Sequence, residues 1–100
     1  MQPKDLQENS LRASRLLRAM SNEKRLMILC NLLGGEISVQ EIQKATGLSQ
    51  STVSQQLAIL RAEKLVTNRR QAQSVLYGID SKEAELILET LYRIFCSENP

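Results

Sequence analysis

The sequence predicts a mostly α-helical fold with a small β-hairpin wing, that is, a winged helix-turn-helix. Apolar residues recur at helical spacing through most of the 100-residue chain. Two short helical segments are joined by the tight turn Gly47-Leu48-Ser49. Two strand-like runs around a polar turn follow them, and a last amphipathic helix completes the pattern. Two short helices joined by a tight turn and followed by a hairpin are typical of this fold.

Two amphipathic helices are predicted ahead of the helix-turn-helix. The first covers about residues 6–20, and its apolar stripe consists of Leu6, Ala13, Leu16, Leu17 and Met20. The second covers about residues 22–33, with Ser21 as its N-cap and Gly34-Gly35 as its stop. One face of this second helix consists of Leu26, Leu29, Cys30 and Leu33. We therefore expect Cys30 to lie on its apolar side.

The helix-turn-helix is predicted over about residues 38–64. Its first helix starts at Ser38, because the run Ser38-Val39-Gln40-Glu41 has the form of a capping box, and it ends at Gly47. Ser49 caps the second helix, which runs from about Gln50 to Lys64. Its inward stripe consists of Val53, Leu57 and Leu60. The opposite face of this helix is polar and free to meet a partner.

A β-hairpin wing is predicted over about residues 65–79. Its two strands are Leu65–Arg69 and Ser74–Ile79. Arg70 to Gln73 form the polar turn between them. We expect the wing and all the helices to belong to a single domain that covers residues 1–100.

The last predicted helix covers about residues 80–96, where Asp80 and Glu83 can form a capping box. Its apolar stripe consists of Ala84, Ile87, Leu88, Leu91, Ile94 and Phe95. A core of this size cannot absorb both this stripe and that of residues 6–20. The two helices therefore predict a two-fold symmetric homodimer. Such a dimer places its reading helices on the order of 34 Å apart and predicts a near-palindromic operator.

The composition excludes several classes of function. The chain contains no histidine, which removes His-ligated metal sites and Ser-His or Cys-His catalytic pairs. It has no Gly-rich phosphate loop and no C-x-x-C motif. We expect neither an enzyme nor a bound cofactor. No 18-residue apolar run is present and the first residues are polar, so we expect no membrane contact and a cytoplasmic location in which the cysteines are free or redox-active.

The distribution of charge favours double-stranded DNA as the partner. The net charge of the chain is only +2, but residues 61–70 carry +3 and residues 71–100 carry −3. The candidates for reading bases or holding the start of the helix on DNA are Gln50, Ser51, Thr52, Ser54, Gln55 and Gln56. The candidates for contacting the sugar-phosphate backbone are Arg61, Arg69, Arg70 and Gln73. The alternative is that each Gln and Ser is simply an exposed polar residue that faces water, and Thr52 can equally serve in capping or packing.

Three runs of the sequence resemble the ArsR/SmtB family of bacterial winged-helix repressors. They are Ala19–Leu29, Leu48–Leu57 and Leu60–Val66, which resemble the family's opening helix, its recognition helix and its exit into the wing. The resemblance covers roughly residues 11–96 and implies a sequence-specific, DNA-binding transcriptional regulator. Gln56 departs from the histidine commonly found at its place in the family, which affects the expected operator preference but not the fold.

The metal sites known in that family are not reproduced in this sequence. Two cysteines of the family's metal motif are replaced here by Ser38 and Gln40. The other metal site of the family needs histidine, which this chain lacks. We therefore expect no metal site.

Cys30 and Cys96 resemble the cysteine pair of the family's HlyU, BigR and SqrR branch. That resemblance implies a thiol switch that responds to oxidants or reactive sulfur species, and a role in the control of virulence genes. A bridge between the two cysteines changes the packing of the last helix on the second helix, and so the spacing of the recognition helices. Two alternatives stay open: a constitutive DNA-binding regulator with structural cysteines, and a metal-responsive repressor with an unrecognised site.

Overall fold

The computed structural model describes residues 2–96, and within them the chain forms six helices and three short strands. In chain order these are α1 (Pro3–Glu8), α2 (Ser10–Met20), α3 (Glu23–Asn31), β1 (Ile37–Ser38), α4 (Val39–Thr46), α5 (Gln50–Ala62), β2 (Val66–Gln71), β3 (Ser74–Ile79) and α6 (Lys82–Phe95). This order confirms the prediction of a mostly α-helical fold with a β-hairpin.

The three strands form one antiparallel sheet in the order β1-β3-β2. The hairpin pairs β2 with β3 from Val66 opposite Ile79 to Gln71 opposite Ser74. The hairpin strands therefore join through the two residues Ala72-Gln73, a shorter turn than the predicted Arg70–Gln73. Strand β1 was not predicted, because two residues are too few to show an alternating pattern.

The predicted first helix over residues 6–20 is divided into α1 and α2. Asn9 lies between them, and its side-chain Nδ2 donates to the backbone oxygen of Asp5 at 2.8 Å. An asparagine side chain that bonds nearby backbone competes with the helical pattern, which accounts for the break. The helix also begins earlier than predicted, with Pro3 in its first turn, a position that proline tolerates well.

Two predicted N-caps are wrong by one residue. Asn22, and not Ser21, caps α3, because its Oδ1 accepts from the backbone nitrogens of Lys24 and Arg25 at 3.0 and 3.2 Å. Ser81, and not Asp80, caps α6, where its Oγ accepts from the nitrogen of Ala84 at 3.1 Å. In both places two neighbouring residues can cap, and local sequence does not distinguish them.

The helix-turn-helix has the predicted local signals. The capping box closes in both directions, with Glu41 N donating to Ser38 Oγ at 3.1 Å and Ser38 N donating to Glu41 Oε1 at 2.9 Å. Gly47 ends α4 with a left-handed φ of 74°. Helix α5 ends two residues before the predicted Lys64, since that residue takes a left-handed φ of 63°.

The core lies between the end of α2, α3, α4, α5, the start of β2 and the first half of α6. Its thirteen buried apolar residues are Ala19, Met20, Ile28, Leu29, Leu32, Ile42, Val53, Leu57, Leu60, Leu65, Val66, Ala84 and Leu88. Outside this core, large apolar side chains stay exposed at both ends of the described chain, namely Leu6, Leu11 and Leu17, and Tyr92, Ile94 and Phe95. None of the helices in residues 2–96 combines the length and the apolar content needed to cross a bilayer.

Candidate nucleic-acid interface and cysteine pair

Helix α5 has one fully buried face and one exposed polar face. Val53, Leu57 and Leu60 are wholly buried and anchor the helix on the core. The exposed side chains of the helix include Gln50, Ser51, Ser54, Gln55 and Arg61. Five of the predicted DNA-contacting residues therefore share an accessible surface. These side chains can donate and accept hydrogen bonds, and none of them is acidic.

Thr52 is not part of that exposed surface. It is half-buried, and its Oγ1 accepts a hydrogen bond from Ser49 Oγ at 3.0 Å. Ser49 Oγ in turn accepts from Thr52 N at 3.2 Å. Thr52 therefore takes part in capping α5, which is the alternative that the sequence left open for it.

Gln56 is half-buried as well, and its partner is a residue of α3. Arg25 Nε donates to Gln56 Oε1 at 3.1 Å, and Arg25 Nη1 donates to the backbone oxygen of Ala19 at 3.2 Å. Sequence reasoning missed this role of Arg25, because the hydrogen bond joins residues 31 positions apart. The side chain of Gln56 is thus held toward α3 and away from the middle of the exposed face.

The basic residues of the wing lie in β2 and not in its turn. Arg69 forms an ion pair with Glu36, with Nη2 2.8 Å from Oε1 and Nε 3.0 Å from both carboxylate oxygens. The hydrogen bond from Arg69 holds the pKa of Glu36 below its usual value. Gly78 helps this pair to form, because a Cβ there would lie 3.2 Å from the Cγ of Glu36.

Arg70 and Gln73 are exposed, and they differ from Arg69 in their surroundings. Arg70 pairs across the hairpin with Val75, while Gln73 lies in the two-residue turn. Neighbouring residues of a strand point to opposite faces, so Arg69 and Arg70 do not share a side of the wing. The predicted backbone-contacting residues of the wing are therefore not all presented on one surface.

Cys30 lies in the last turn of α3, and Cys96 is the residue that caps the end of α6. Both are free thiols; Cys30 is half-buried and Cys96 is exposed. Burial raises the pKa of the Cys30 thiol, and the nearby Cys96 raises it further. A raised pKa keeps Cys30 in the thiol form at neutral pH, in which it is a weak nucleophile. Of the pair, Cys96 is the more accessible to a reagent in solution.

A cavity of about 590 Å³ opens beside Cys30. It lies between the end of α3 and the second half of α6, and its lining consists of Cys30, Leu33, Gly34, Glu89, Tyr92 and Arg93. The cavity therefore gives a small molecule access to Cys30. No group of three or more Cys, Asp or Glu side chains in residues 2–96 is arranged to hold a metal ion.

Comparison with known proteins decides the family. Residues 22–68 match the model of the family described as bacterial regulatory protein, arsR family. The transcriptional activator HlyU of Vibrio cholerae is 46% identical over 99 residues, which cover 99% of this chain and 92% of HlyU. The chain belongs to the arsR family of bacterial regulatory proteins. It is accordingly a transcriptional regulator, and neither the family description nor the name of HlyU is that of an enzyme.

Solved structures of arsR-family relatives share the fold of this chain. Reduced HlyU from Vibrio cholerae N16961 has a TM-score of 0.88 and 46% identity, over 94% of this chain and 99% of that one. The transcriptional repressor BigR from Xylella fastidiosa has a TM-score of 0.91 and 35% identity, over 98% of this chain and 100% of that one. The winged helix-turn-helix prediction is therefore confirmed.

A third structure is that of a winged helix-turn-helix DNA-binding domain, Mb0332 from Mycobacterium bovis. It is described as homodimeric and as a possible ArsR-family regulator. Its TM-score is 0.74 at 26% identity, over 96% of this chain and 94% of that one. In this arsR-family chain, the corresponding fold leaves the outer face of α5 and the tip of the wing exposed.

Proposed function

We propose that this arsR-family regulator binds a near-palindromic operator as a homodimer, and that the oxidation or persulfidation state of Cys30 and Cys96 controls the binding. The observation that carries the proposal is geometric: Cys30 lines a cavity together with Tyr92 and Arg93 of α6, the helix that ends at Cys96. Helix α3 packs into the core beside α5, whereas the end of α6 projects from the core with its apolar side chains exposed. A bond between the cysteines therefore joins the reading motif to the proposed dimer helix.

Exposed apolar side chains support the homodimer. Leu11 of α2 is 77% exposed, and Ile94 and Phe95 of α6 are 64% and 78% exposed. Apolar surface of this kind is unfavourable in water and marks interaction sites. The homodimeric state of the Mycobacterium bovis domain indicates what covers it. We assign the dimer interface to α1, α2 and α6. These helices correspond to the predicted dimerisation segments, about residues 6–20 and 80–96.

The exposed face of α5 supports operator recognition. In a two-fold dimer the two α5 helices enter successive major grooves, on the order of 34 Å apart. Gln50, Ser54 and Gln55 are the base-reading candidates, since their side chains are exposed and offer both donors and acceptors. Arg61 and Arg70 are the phosphate-contacting candidates, with Gln73 at the tip of the wing.

The switch chemistry is a two-electron oxidation of two thiols by a persulfide. The exposed Cys96 thiolate attacks the outer sulfur of RSSH, which gives Cys96–SSH and the thiol RSH. The Cys30 sulfur then attacks the inner sulfur of Cys96–SSH, which gives the Cys30–Cys96 disulfide and releases H₂S. When both thiols are persulfidated first, loss of H₂S leaves a bridge with one additional sulfur atom. A peroxide reaches the same disulfide through a sulfenic acid and releases water.

The bridge acts on DNA through the position of α3. Ile28 and Leu29, which precede Cys30, are wholly buried and pack in the same core as Val53 and Leu57 of α5. A well-packed core transmits a displacement instead of absorbing it. When Cys30 is drawn toward α6, α5 turns relative to the dimer helices, and the two reading helices lose their match to the operator.

The direct test measures operator affinity against oxidation state. Fluorescence anisotropy is recorded on labelled DNA from upstream of the chain's own gene, with reduced protein before and after a persulfide donor. We expect the donor to abolish binding and a thiol reductant to restore it. Cys30→Ser and Cys96→Ser should each bind like the reduced protein with and without the donor. Loss of binding in Cys96→Ser on adding the donor would contradict the paired switch.

A constitutive regulator with structural cysteines is the second candidate. The half-burial of Cys30 against the apolar core favours it, since buried cysteines commonly act as small apolar residues. That candidate requires operator affinity to stay the same after every thiol in the sample has reacted. The same anisotropy experiment therefore decides between the two.

A further inference from the structure

Arg25 joins three helices through one guanidinium group. It lies in the first turns of α3, its Nε donates to Gln56 in the middle of α5, and its Nη1 donates to the Ala19 carbonyl near the end of α2. The carbonyls in the last turn of a helix have no partner within that helix. A cation that donates to one of them is also favoured by the helix dipole. The arginine therefore binds the end of α2 and the side of α5 at once.

The orientation of the Gln56 amide follows from the chemistry of its partner. A guanidinium group donates hydrogen bonds and accepts none. The atom that faces Arg25 is therefore the amide oxygen, and this hydrogen bond is charge-assisted and stronger than one between neutral groups. Gln56 is half-buried in this position. It serves as an acceptor for α3 and not as part of the exposed group of Gln50, Ser54 and Gln55.

A second polar contact joins α2 to the end of α5. Arg15 Nε donates to Glu63 Oε1 at 3.1 Å, and Glu63 is the C-cap residue of α5. This pair is largely exposed, and exposed ion pairs contribute little to stability. Its position still matters, because α2 is linked to α5 at two places. Arg25 links Ala19 of α2 to the middle of α5, and the Arg15 pair links α2 to the end of α5.

We propose that Arg25 is a positioning residue for operator recognition, which fixes the angle of α5 on α2 and so selects the spacing of the two operator half-sites. Gln56 belongs to this brace, defined as Ala19, Arg25 and Gln56, and does not read a base. The inference rests on the proposed function in one respect, namely that α2 lies in the dimer interface and α5 reads DNA.

The length of α5 makes the spacing sensitive to this angle. The helix has 13 residues and is therefore about 20 Å long. A rotation of roughly 10° moves its far end by about 3.4 Å, which is the rise of one base pair. A brace that holds the angle within a few degrees thus distinguishes operators that differ by a single inserted base pair.

The test measures affinity for a set of operators that differ in half-site spacing by one base pair at a time. The variants are Arg25→Met, Gln56→Met and Gln56→Glu, measured as full-length reduced protein. Lys24→Met is the matched control, because Lys24 is an exposed cation next to Arg25 on α3, and its side chain forms no hydrogen bond or ion pair with the other described residues. Thermal unfolding of each variant shows that it is folded.

We expect both methionine variants to lose spacing discrimination by about tenfold, since a hydrogen bond to a charged group contributes on that order to an equilibrium constant. Gln56→Glu keeps an acceptor for Arg25, so its spacing preference should be retained while its affinity falls equally for all spacings. Lys24→Met removes the same charge without touching the brace, so any change in its affinity should be equal for all spacings. Arg25→Met supports the proposal only if its base preferences stay those of the unmodified chain.

Two results would overturn the inference. One is an unchanged spacing profile in folded Arg25→Met and Gln56→Met. The other is a changed base preference in Gln56→Glu at one position of each half-site, which would make Gln56 a base-reading residue. If the unmodified chain itself binds no operator, the proposed function fails, and that outcome is distinct from either of these.

Discussion

Replacing Phe95 by alanine should dissociate the proposed dimer and leave the protomer folded. Phe95 is 78% exposed in the protomer, so its removal takes little from the core. A large aromatic side chain presents about 200 Å² of surface, of which about 150 Å² is then left for an interface to cover. If the interface covers half of that area, each copy loses about 2 kcal/mol at about 25 cal/mol per Å².

The two copies of Phe95 double the effect in a symmetric dimer. A loss of about 4 kcal/mol in total weakens the dimer dissociation constant by roughly a thousandfold. Sedimentation velocity over a series of protein concentrations measures this constant, and circular dichroism reports whether the variant is folded.

Leu86 provides the matched control for this experiment. It is also an exposed apolar residue of α6, 53% accessible, and it precedes Phe95 by nine residues. Nine residues at 100° each place the two side chains on opposite sides of the helix. Leu86→Ala should leave the dimer intact. Equal weakening by both variants, or no weakening by Phe95→Ala, would refute the assignment of the interface to this face of α6.

The remaining predictions concern single sites. Lys64→Gly should raise the free energy of unfolding by about 0.5–1 kcal/mol in denaturant titration, since only glycine takes the left-handed φ of 63° freely; a lower value would contradict the assigned backbone. The lowered pKa of Glu36 means that the Arg69 pair stabilises above the unfolded pKa and is lost as pH falls through the folded pKa. Glu36→Gln should therefore reduce the acid dependence of unfolding between about pH 5 and 3. In Cys96→Ser the pKa of Cys30 should fall, since one cause of its rise is removed; pH-dependent alkylation followed by mass spectrometry measures this, and an unchanged profile would refute the proximity of the thiols.

Much of the helix-turn-helix could be predicted because its signals are local. A capping box spans four residues, and the glycine that ends α4 needs no information from elsewhere in the chain. The buried stripe of Val53, Leu57 and Leu60 follows from helical periodicity alone, and the structure confirms it.

The parts that could not be predicted depend on distant residues or on near-equal local choices. The hydrogen bond between Arg25 and Gln56 joins two helices that the sequence shows only as separate segments. Glu36 finds Arg69 because β1 adds to the hairpin, and a two-residue strand leaves no periodic signal. Asn22 and Ser81 displaced the expected caps because either neighbour has a suitable side chain.

In the candidate site, too, the local pattern could be predicted and the contacts between distant residues could not. Sequence patterns identified the outer face of α5, since five of its predicted contacts are exposed together. They assigned Thr52 and Gln56 to that face as well, although the structure engages both in contacts within the protein. A polar residue on the side of a helix can contact either DNA or a neighbouring helix, and the residue type is the same in both cases. Only the packed structure therefore distinguishes the two kinds of contact.

The most direct test of the thiol switch measures bridging and DNA binding in the same samples. The reduced protein is titrated with a persulfide donor, and each sample is divided. Intact-mass analysis gives the fraction of chains with a Cys30–Cys96 bridge, and anisotropy gives the fraction of operator bound. We predict that binding falls in proportion to the bridged fraction and returns with a thiol reductant. Full binding by protein that is completely bridged would contradict the account.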